Sequence, residues 1–373
     1  MIETRSKPLV LDVPVPSEDL SYHVRVGDGL LDRLGSELAR GREPGRVAVI
    51  SDTHVLPLYG ARAQASLEAA GFTVVTHAVP AGEASKNPEQ LVKLVGALVD
   101  DRLGRRDMVV ALGGGVVGDL AGLVAASFMR GIDFVQCPTS LLAQVDASVG
   151  GKVAVDLPQG KNLLGAFHFP RAVIIDTGVL RTLPDDELAC GLAEMLKHGA
   201  LFSVEHFEQL VAQAEAIRAR DPAVLPRLVA TSVALKAACV SRDPLEMAEA
   251  GKGRVLLNLG HTIGHAIEAV SKFGLRHGEA VALGLRATCR LSHAKGYCDQ
   301  TLEPRMVSAL QTLALPTDLD PWLEGERGRA VERALLNDKK RSNATVTYIA
   351  LASLGEPRTV QLAPAEIMAL LRG

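Results

Sequence analysis

Aromatic side chains are scarce in this chain of 373 residues, which contains one Trp, four Tyr and eight Phe. Platforms that stack sugars or single-stranded nucleic acids need exposed rings, so this scarcity argues against both kinds of site. An excess of one charge is also lacking, since 40 Lys and Arg stand against 43 Asp and Glu. Without a basic surplus the electrostatic footprint of nucleic-acid binding is absent, and we expect no nucleic-acid partner.

Paired cysteines and long apolar runs are lacking as well. The five cysteines include no Cys-x-x-Cys pair, which is typical of reduced thiols buried as small apolar side chains. The first eight residues carry charges where a signal peptide needs an apolar segment. The longest apolar stretch, 120–129, is about half the length that spans a bilayer. These features predict a cytoplasmic protein with no membrane partner.

The first half of the chain alternates strand and helix patterns. The β-like runs lie at 46–51, 72–76, 108–112, 133–136 and 172–175. The helical patterns between them lie at 61–70, 88–103 and 119–129. This alternation predicts a doubly wound, mainly parallel α/β sheet of the Rossmann type.

Helical patterns dominate the second half of the chain, from 185 to 313, and a single further strand is predicted at 345–350. We therefore predict two domains, an α/β nucleotide-binding domain over 1–180 and a mainly α-helical, metal- and substrate-binding domain over 181–373. A cleft between two such domains is a common location for a ligand site.

A glycine-rich turn lies between the third predicted strand and the next helix. The stretch Gly113-Gly-Gly-Val-Val-Gly-Asp119 contains Gly-x-Gly-x-x-Gly, whose glycines let backbone amides approach a pyrophosphate at a helix N-terminus. The alternative is a tight turn that binds nothing. Because the acidic residue usual about 20 positions later is absent, Asp52 at the end of the first strand is the candidate for the ribose.

Polar residues are concentrated in an otherwise apolar, glycine-rich segment in the middle of the chain. Asp146 and Lys152 flank Gly150-Gly151, and Lys161-Asn162 follows within ten residues. Solvated surface charges would explain each residue alone. Their density favours a site for an anionic, hydroxylated substrate, since lysine is a good point-charge ligand for phosphate.

Two further motifs indicate a metal. Glu194 and Lys197 share a helical face, either as an exposed ion pair or as a metal ligand beside a cation. His261 and His265 stand at i and i+4, and His277 brings three of the ten histidines within 17 residues. A catalytic divalent metal with three protein ligands and an open position fits this set. Spacing alone favours pairing His261 with His265.

Taken in order, these motifs resemble the 3-dehydroquinate synthase family of sugar-phosphate cyclases. The resemblance extends from about Tyr22 to the C-terminus through 113–119, 138–146, 150–152, 161–162, 191–199, 257–268, 277–279 and 338–340. It implies a homodimeric enzyme of the shikimate pathway that uses NAD and Zn²⁺ or Co²⁺. The implied reaction converts 3-deoxy-D-arabino-heptulosonate 7-phosphate to 3-dehydroquinate and phosphate. NAD would oxidise one hydroxyl and later return the hydride, while β-elimination, ring opening and aldol closure occur between these steps.

The resemblance also implies residue roles. The metal ligands would be Glu194, His261 and His277. Substrate would be held by Arg130 reaching across the dimer and by Asp146, Lys152, Asn162, Lys197, Lys236, Glu246, Arg254, Asn258, His265 and Lys339 or Lys340. NAD would contact Asp52, Glu83, Lys86, Gly114, Gly115, Val116, Val117, Gly118, Asp119, Thr139, Ser140, Asp146, Lys152, Lys161, Val179, Leu180, Arg181 and Thr182. We follow this ligand set over the His261–His265 pair because Gly260 favours a helix that starts at His261.

This chain departs from the family pattern at two places. Thr139-Ser140 replaces the usual Thr-Thr and keeps the hydroxyl. The segment 243–254 is a few residues longer than usual, so either Lys252 or Arg254 fills the phosphate-binding position.

Other activities stay open from the residues alone. They include cyclases of the valiolone, deoxy-inosose and aminodehydroquinate types, an NAD- and metal-dependent polyol dehydrogenase, and a non-catalytic nucleotide-binding protein. Asn258, His265 and a basic residue near 254 favour a substrate that carries a carboxylate. A dehydrogenase would release NADH stoichiometrically, whereas a cyclase yields no net NADH. The number of ionisable groups disfavours a non-catalytic protein.

Overall fold

A computed structural model describes residues 20–40, 42–248, 253–272, 274–337 and 345–373. Its strands are β1 His23–Gly27, β2 Arg46–Asp52, β3 Thr73–Val79, β4 Met108–Gly113, β5 Asp133–Pro138, β6 Lys152–Leu157, β7 Gly160–Phe167, β8 Ala172–Asp176, β9 Val346–Ser353 and β10 Glu356–Leu362. Six of them form a parallel sheet in the order β1-β8-β5-β4-β2-β3. The pairs β6–β7 and β9–β10 are antiparallel.

The helices are distributed around the sheet and then form the second half of the chain. They are α1 Leu34–Leu38, α2 Ala61–Ala69, α3 Pro88–Asp100, α4 Gly115–Ser127, α5 Asp185–Phe202, α6 Val204–Ala212, α7 Ala214–Arg218, α8 Leu225–Ser241, α9 His261–Val270, α10 His277–Ala294, α11 Leu302–Thr312, α12 Gly325–Asn337 and α13 Pro364–Arg372. None of the helices within the described ranges has both the length and the apolar character needed to cross a membrane.

The sheet is buried on both faces, as its apolar strands require. Successive side chains of a strand point to opposite faces, so in β2 the residues Ala48 and Ile50 pack under α3 and α4. Val47 and Val49 pack on the other face with α1 and α2. This arrangement confirms the doubly wound α/β prediction. Strand order reverses between β2 and β4, and the carboxyl ends of strands at such a point form a ligand crevice.

One apolar core joins the sheet to the helical half. Val173 and Ile175 of β8 pack in the same cluster as Leu192 and Leu196 of α5. The helix α5 is buried along most of its length, which places its polar side chains in the interior. This shared core brings the sheet edge and the helices of the second half to one site.

The structure corrects several element predictions. The hairpin β6–β7 and the elements β1, β10, α1, α12 and α13 were not predicted. The hairpin carries Lys, Asp and Asn with nearly every β7 side chain exposed, so it lacks the apolar alternation that marks a strand. Helix α4 begins at Gly115 rather than Asp119. The domain boundary near residue 180 stays a prediction.

Candidate active site

The glycine-rich turn joins β4 to α4 at the carboxyl edge of the sheet. Gly114 is extended, with φ −72° and ψ −170°, and α4 begins at the next residue. A Cβ atom at Gly118 would lie 2.7 Å from Gln136 Oε1, so α4 packs against β5 closely because no side chain intervenes. The first turn of α4 therefore presents backbone amides at the edge, in the arrangement that binds pyrophosphate.

A buried lysine lies beside this turn. Lys86 Nζ donates hydrogen bonds to Asp119 Oδ2 and Asn162 Oδ1, both at 2.6 Å. Burial raises the pKa of Asp119, although the Lys86 charge opposes that shift. Asn162 adopts a left-handed φ of 57° and donates its backbone N–H to Asp156 Oδ1 at 2.7 Å. Residues predicted for two different ligands thus form one hydrogen-bonded group.

Hydroxyl and carboxylate groups flank the turn on the neighbouring strands. Thr139 donates its backbone N–H to Gly113 O at 2.9 Å, which places it directly after the end of β5. Ser140 Oγ accepts a hydrogen bond from the following helical turn at 3.2 Å. Asp52 ends β2, and its Oδ1 atom accepts two backbone N–H groups of the next turn at 2.8 and 2.9 Å. Asp52 therefore also shapes the loop at this edge.

Three residues predicted to contact the nucleotide can do so only through their backbone atoms. The side chains of Val117, Val179 and Leu180 are buried in the core. Tyr59, which the sequence did not single out, holds the turn 177–182, because its hydroxyl donates to Val179 O at 2.8 Å and lies 2.6 Å from Thr182 Oγ1. Arg181 is largely exposed and pairs with Asp28 at 2.6 Å.

Asp146 lies in a π-helical turn, Ala143–Ala147, between β5 and β6. Lys236 reaches it from α8, and its Nζ donates at 2.6 Å to both Asp146 Oδ1 and the Asp146 carbonyl oxygen. Burial opposes the charge of Asp146, but Lys236 lowers its pKa below the usual value. The carboxylate is therefore ionised at neutral pH, and its side chain is 29 % exposed.

His198 is fully buried behind Asp146. Its Nδ1 atom lies 2.8 Å from Ser232 Oγ, and its Nε2 atom lies 3.9 Å from Asp146 Oδ1. Burial and the charge of Lys197 lower the pKa of His198 to about 3, so the imidazole is neutral.

Glu194 and Lys197 form an ion pair on α5 that is wholly inside the protein, with side chains 0 % and 1 % exposed. The alternative of an exposed helix pair is therefore wrong. Burial opposes the charge of Glu194, but Lys197 and two imidazoles hold its pKa well below the usual range. Among the described residues, neither Glu194 oxygen has a hydrogen bond of good geometry.

Two histidines converge on one oxygen of this carboxylate. His261 begins α9, as Gly260 predicts, and His277 begins α10. The Nε2 atoms of both lie 3.5 Å from Glu194 Oε1. The His265 ring centroid lies 5.1 Å from that of His261 and 5.7 Å from that of His277. The ligand nitrogens of His261, His265 and His277 lie within 4.8 Å of one another, a set that can hold a divalent cation. Glu194 adds a carboxylate from a third segment of the chain.

Glu268 orients this group, although the sequence analysis assigned it no role. Its Oε2 atom lies 3.2 Å from His277 Nδ1, and its Oε1 atom accepts a hydrogen bond from Lys161 at 3.1 Å. Lys161 also lies 3.9 Å from Glu83, at the sheet edge. Glu268 follows His261 by seven residues, so helical spacing is the signal that would have found it.

Lys152 and Arg254 connect the middle segment to the helical half. Lys152 begins β6 and forms a half-exposed ion pair with Glu246. Arg254 is 4 % exposed, and its NH1 group donates to Gly150 O and Pro244 O, both at 2.9 Å. The predicted substrate residues before and after α8 are thus in contact.

Other predicted residues are not joined to this group. Arg130 is exposed in the turn after α4, at a left-handed φ of 72°, and Asn258 is exposed before α9. Neither makes a hydrogen bond or ion pair with the other candidate residues that the structure describes. Lys252, Lys339 and Lys340 lie outside the described residues.

Known proteins share both halves of this architecture. The family model "3-dehydroquinate synthase N-terminal" matches residues 76–190, and "3-dehydroquinate synthase C-terminal" matches residues 191–341. A 3-dehydroquinate synthase of Symbiobacterium thermophilum is 46 % identical over 338 residues, which cover 90 % of this chain and 92 % of that protein.

Solved structures of other cyclases have the same fold. The 2-epi-5-epi-valiolone synthase of Streptomyces hygroscopicus, solved with NAD⁺ and Zn²⁺ bound, has a TM-score of 0.85 at 27 % identity and covers 97 % of this chain and 98 % of its own. A 2-deoxy-scyllo-inosose synthase with carbaglucose-6-phosphate, NAD⁺ and Co²⁺ has a TM-score of 0.84 at 24 % identity, with 94 % and 96 % covered. The higher identity to dehydroquinate synthases does not favour the alternative cyclases or a polyol dehydrogenase. The chain therefore belongs to the 3-dehydroquinate synthase family.

Proposed function

We propose that this protein eliminates phosphate from 3-deoxy-D-arabino-heptulosonate 7-phosphate and closes the product to 3-dehydroquinate, with NAD and a divalent metal. The observation that carries the proposal is the meeting of His261 Nε2 and His277 Nε2 at 3.5 Å from Glu194 Oε1. Ligand atoms of a tetrahedral zinc stand about 3.4 Å apart when each metal–ligand distance is about 2.1 Å. The buried Glu194 carboxylate supplies the anionic ligand, so the donor set fits Zn²⁺ or Co²⁺.

The edge of the sheet fits NAD. The first-turn amides of α4 favour a pyrophosphate, and Gly118 lets α4 pack closely against β5 because it lacks a Cβ. Asp52 lies beside the switch point between β2 and β4, where a ribose hydroxyl can be bound. Thr139 and Ser140 follow the adjacent strand. We also propose that the other residues predicted to contact NAD do so.

The chemistry needs oxidation at one substrate carbon and its later reversal. When bound, NAD accepts and returns a hydride, and the divalent metal polarises the hydroxyl at that carbon so that its proton leaves more easily. Glu194, His261 and His277 hold the cation, while Lys197 neutralises the buried carboxylate. Because the hydride returns, the balanced outcome is substrate to dehydroquinate plus phosphate without net NADH.

Basic and polar side chains hold the anionic substrate around this centre. Asp146 accepts a substrate hydroxyl while Lys236 fixes its orientation at 2.6 Å. Lys152 stands half exposed at the start of β6, where an incoming anion can replace Glu246 as its partner. We assign the phosphate-binding position to Arg254 rather than Lys252, since Arg254 is anchored at Gly150 O beside Lys152. His265, Asn162 and Asn258 complete the predicted substrate contacts.

We also propose a cytoplasmic homodimer, with an α/β domain over 1–180 and a helical domain over 181–373. Five free cysteines, four of them buried, support a reducing compartment. The apolar side chains of Leu163, Leu164 and Phe167 on β7 are 40–42 % exposed, and Met129 beside Arg130 is 43 % exposed. A second copy that covers this face would let Arg130 enter the partner's site.

Mixing two variants of low activity tests the shared site. If Arg130 completes the partner's site, then Arg130→Ala and Lys152→Ala subunits should together regain about a quarter of wild-type activity, since half of randomly mixed dimers hold one intact site. No recovery, with mixed dimers verified by differential tags, would contradict the shared site.

The activity itself is tested with heptulosonate phosphate, NAD and zinc. We expect phosphate and dehydroquinate in equal amounts, no rise in absorbance at about 340 nm from NADH, and loss of activity after chelation. Stoichiometric NADH would instead support the polyol dehydrogenase.

A further inference from the structure

A buried histidine that the proposed chemistry does not use lies directly behind Asp146. His198 is 0 % exposed, and its Nε2 atom has no hydrogen-bond partner among the described residues. A buried polar atom without a partner costs about 1–3 kcal/mol. This nitrogen therefore does not stabilise the fold as it stands, and its position beside a substrate-binding carboxylate calls for an explanation.

The tautomer of His198 follows from the groups around its ring, which are the Ser232 hydroxyl and the carboxylates of Asp146 and Glu194. Nε2 faces the ionised Asp146 carboxylate at 3.9 Å, which favours an N–H group on Nε2. Nδ1 must then accept a hydrogen bond, and the Ser232 hydroxyl at 2.8 Å is the donor. The Ser232 hydroxyl thus directs the His198 N–H toward Asp146.

The same carboxylate oxygen is the meeting point of two helices. Ser232 and Lys236 lie four residues apart on α8, on one face, and Lys236 donates to Asp146 Oδ1 at 2.6 Å. His198 approaches that oxygen from α5. The gap of 3.9 Å is about 1 Å longer than a hydrogen bond, so a small shift of the Asp146 turn would complete the contact.

We propose that His198 is a positioning residue, whose Ser232-oriented Nε2–H group holds the Asp146 carboxylate in the orientation that receives a substrate hydroxyl. This role rests on the proposed function. His198 also lies within 4.8 Å of Asp146 and Glu194, in a group of side chains that could hold a cation, so zinc content has to be measured beside activity. A displacement of about 1 Å in a catalytic group can cost about 100-fold in rate, which is enough for such a role to be measurable.

Two near-isosteric substitutions distinguish the contribution of Nε2 from that of Nδ1, because each keeps only one of the two contacts of the ring. In His198→Gln the amide nitrogen can take the place of Nε2 and donate to Asp146, whereas in His198→Asn the shorter amide reaches only Ser232. We expect His198→Gln to keep kcat within about fivefold of wild type and His198→Asn to lose about 10- to 100-fold, with KM less affected in both. Both variants should keep zinc.

His206 supplies the matched control. It is also buried, on α6, and both of its ring nitrogens lack hydrogen-bond partners among the described residues. His206→Gln and His206→Asn should change the unfolding midpoint while leaving kcat unchanged, which separates loss of packing from loss of positioning.

Each other outcome contradicts the role. Equal kcat values for His198→Gln and His198→Asn would show that Nε2 does not matter, and loss of zinc from either would make His198 part of the metal centre. Phosphate release by the wild-type protein tests the proposed function independently of these variants. Absence of phosphate release from wild type would overturn the proposed function, and this role with it.

Discussion

The carboxyl edge of the sheet and the Glu194 cluster, which comprises Glu194, Lys197, His261 and His277, are built from different chemical groups. At the edge, one contiguous stretch presents backbone amides and glycines, and most of its side chains are buried or absent. In the cluster, ionisable side chains from α5, α9 and α10 meet in the interior. The structure of the edge depends on glycines that lack a side chain, whereas the structure of the cluster depends on charges that compensate one another.

This difference predicts how each region fails. Removing one member of a buried charge group leaves its partners uncompensated, which is strongly destabilising. Adding a methyl group at the edge produces a local steric conflict that leaves the charges intact. The variants below test this contrast, beginning with the largest expected effect.

Glu194→Gln should have the largest effect, because it keeps the volume of the side chain but leaves Lys197 buried without its anion. We expect loss of bound zinc, phosphate release at background, and a free energy of unfolding lower by about 3–5 kcal/mol. Zinc content after dialysis and urea unfolding measure these changes. Glu205→Gln, at an exposed position on α6, is the control and should change stability by less than about 0.5 kcal/mol. Retained zinc in Glu194→Gln would show that the cluster does not depend on this charge.

Lys152→Ala should affect turnover and spare the fold. Its ion pair with Glu246 is half exposed, and such pairs contribute about 0–1 kcal/mol to stability. An anionic substrate would lose a charge-assisted partner, a loss of about 2 kcal/mol or about 30-fold in kcat/KM. Lys295→Ala breaks an ion pair with Glu366 away from the site and is the control. Wild-type turnover in Lys152→Ala would show that this lysine is a solvated surface charge without a role in substrate binding.

Gly118→Ala should have the smallest effect and leave the metal in place. The new Cβ would lie 2.7 Å from Gln136 Oε1, a conflict that we expect to lower the free energy of unfolding by about 1–3 kcal/mol. NAD affinity, measured by calorimetry, should fall about tenfold as the first turn of α4 shifts. Gly96→Ala in α3 meets nothing within 4 Å and should stabilise the protein by about 0.5–1 kcal/mol. Unchanged NAD affinity in Gly118→Ala would mean that α4 does not bind the nucleotide.

The same contrast explains what the sequence could predict. The glycine turn was recognisable because its residues are contiguous and lie between a strand and a helix, a context that local patterns reveal. The parallel sheet followed from alternating apolar runs, which give strands buried on both faces. The hairpin β6–β7 was not predicted, because the buried apolar run of β6 is short and nearly every residue of β7 is exposed, so neither strand shows an apolar alternation.

Contacts between distant segments were beyond local patterns. Helical spacing pairs His261 with His265, whose ring centroids lie 5.1 Å apart. The structure also brings His261 and His277 to 3.5 Å from Glu194, which lies on a third segment. Only the family resemblance indicated that set in advance. Tyr59 and His198 contact partners far away in the chain, so nothing in their immediate neighbourhood marked them.

The central claim is that Glu194, His261 and His277 hold the metal while His265 serves the substrate. The most direct test is a zinc titration of His261→Ala, His277→Ala and His265→Ala, with activity measured on the same samples. We expect the first two variants to lose most of their bound zinc, and His265→Ala to keep zinc and lose phosphate release. Loss of zinc from His265→Ala together with its retention in His277→Ala would contradict the claim and establish the simple helical pair.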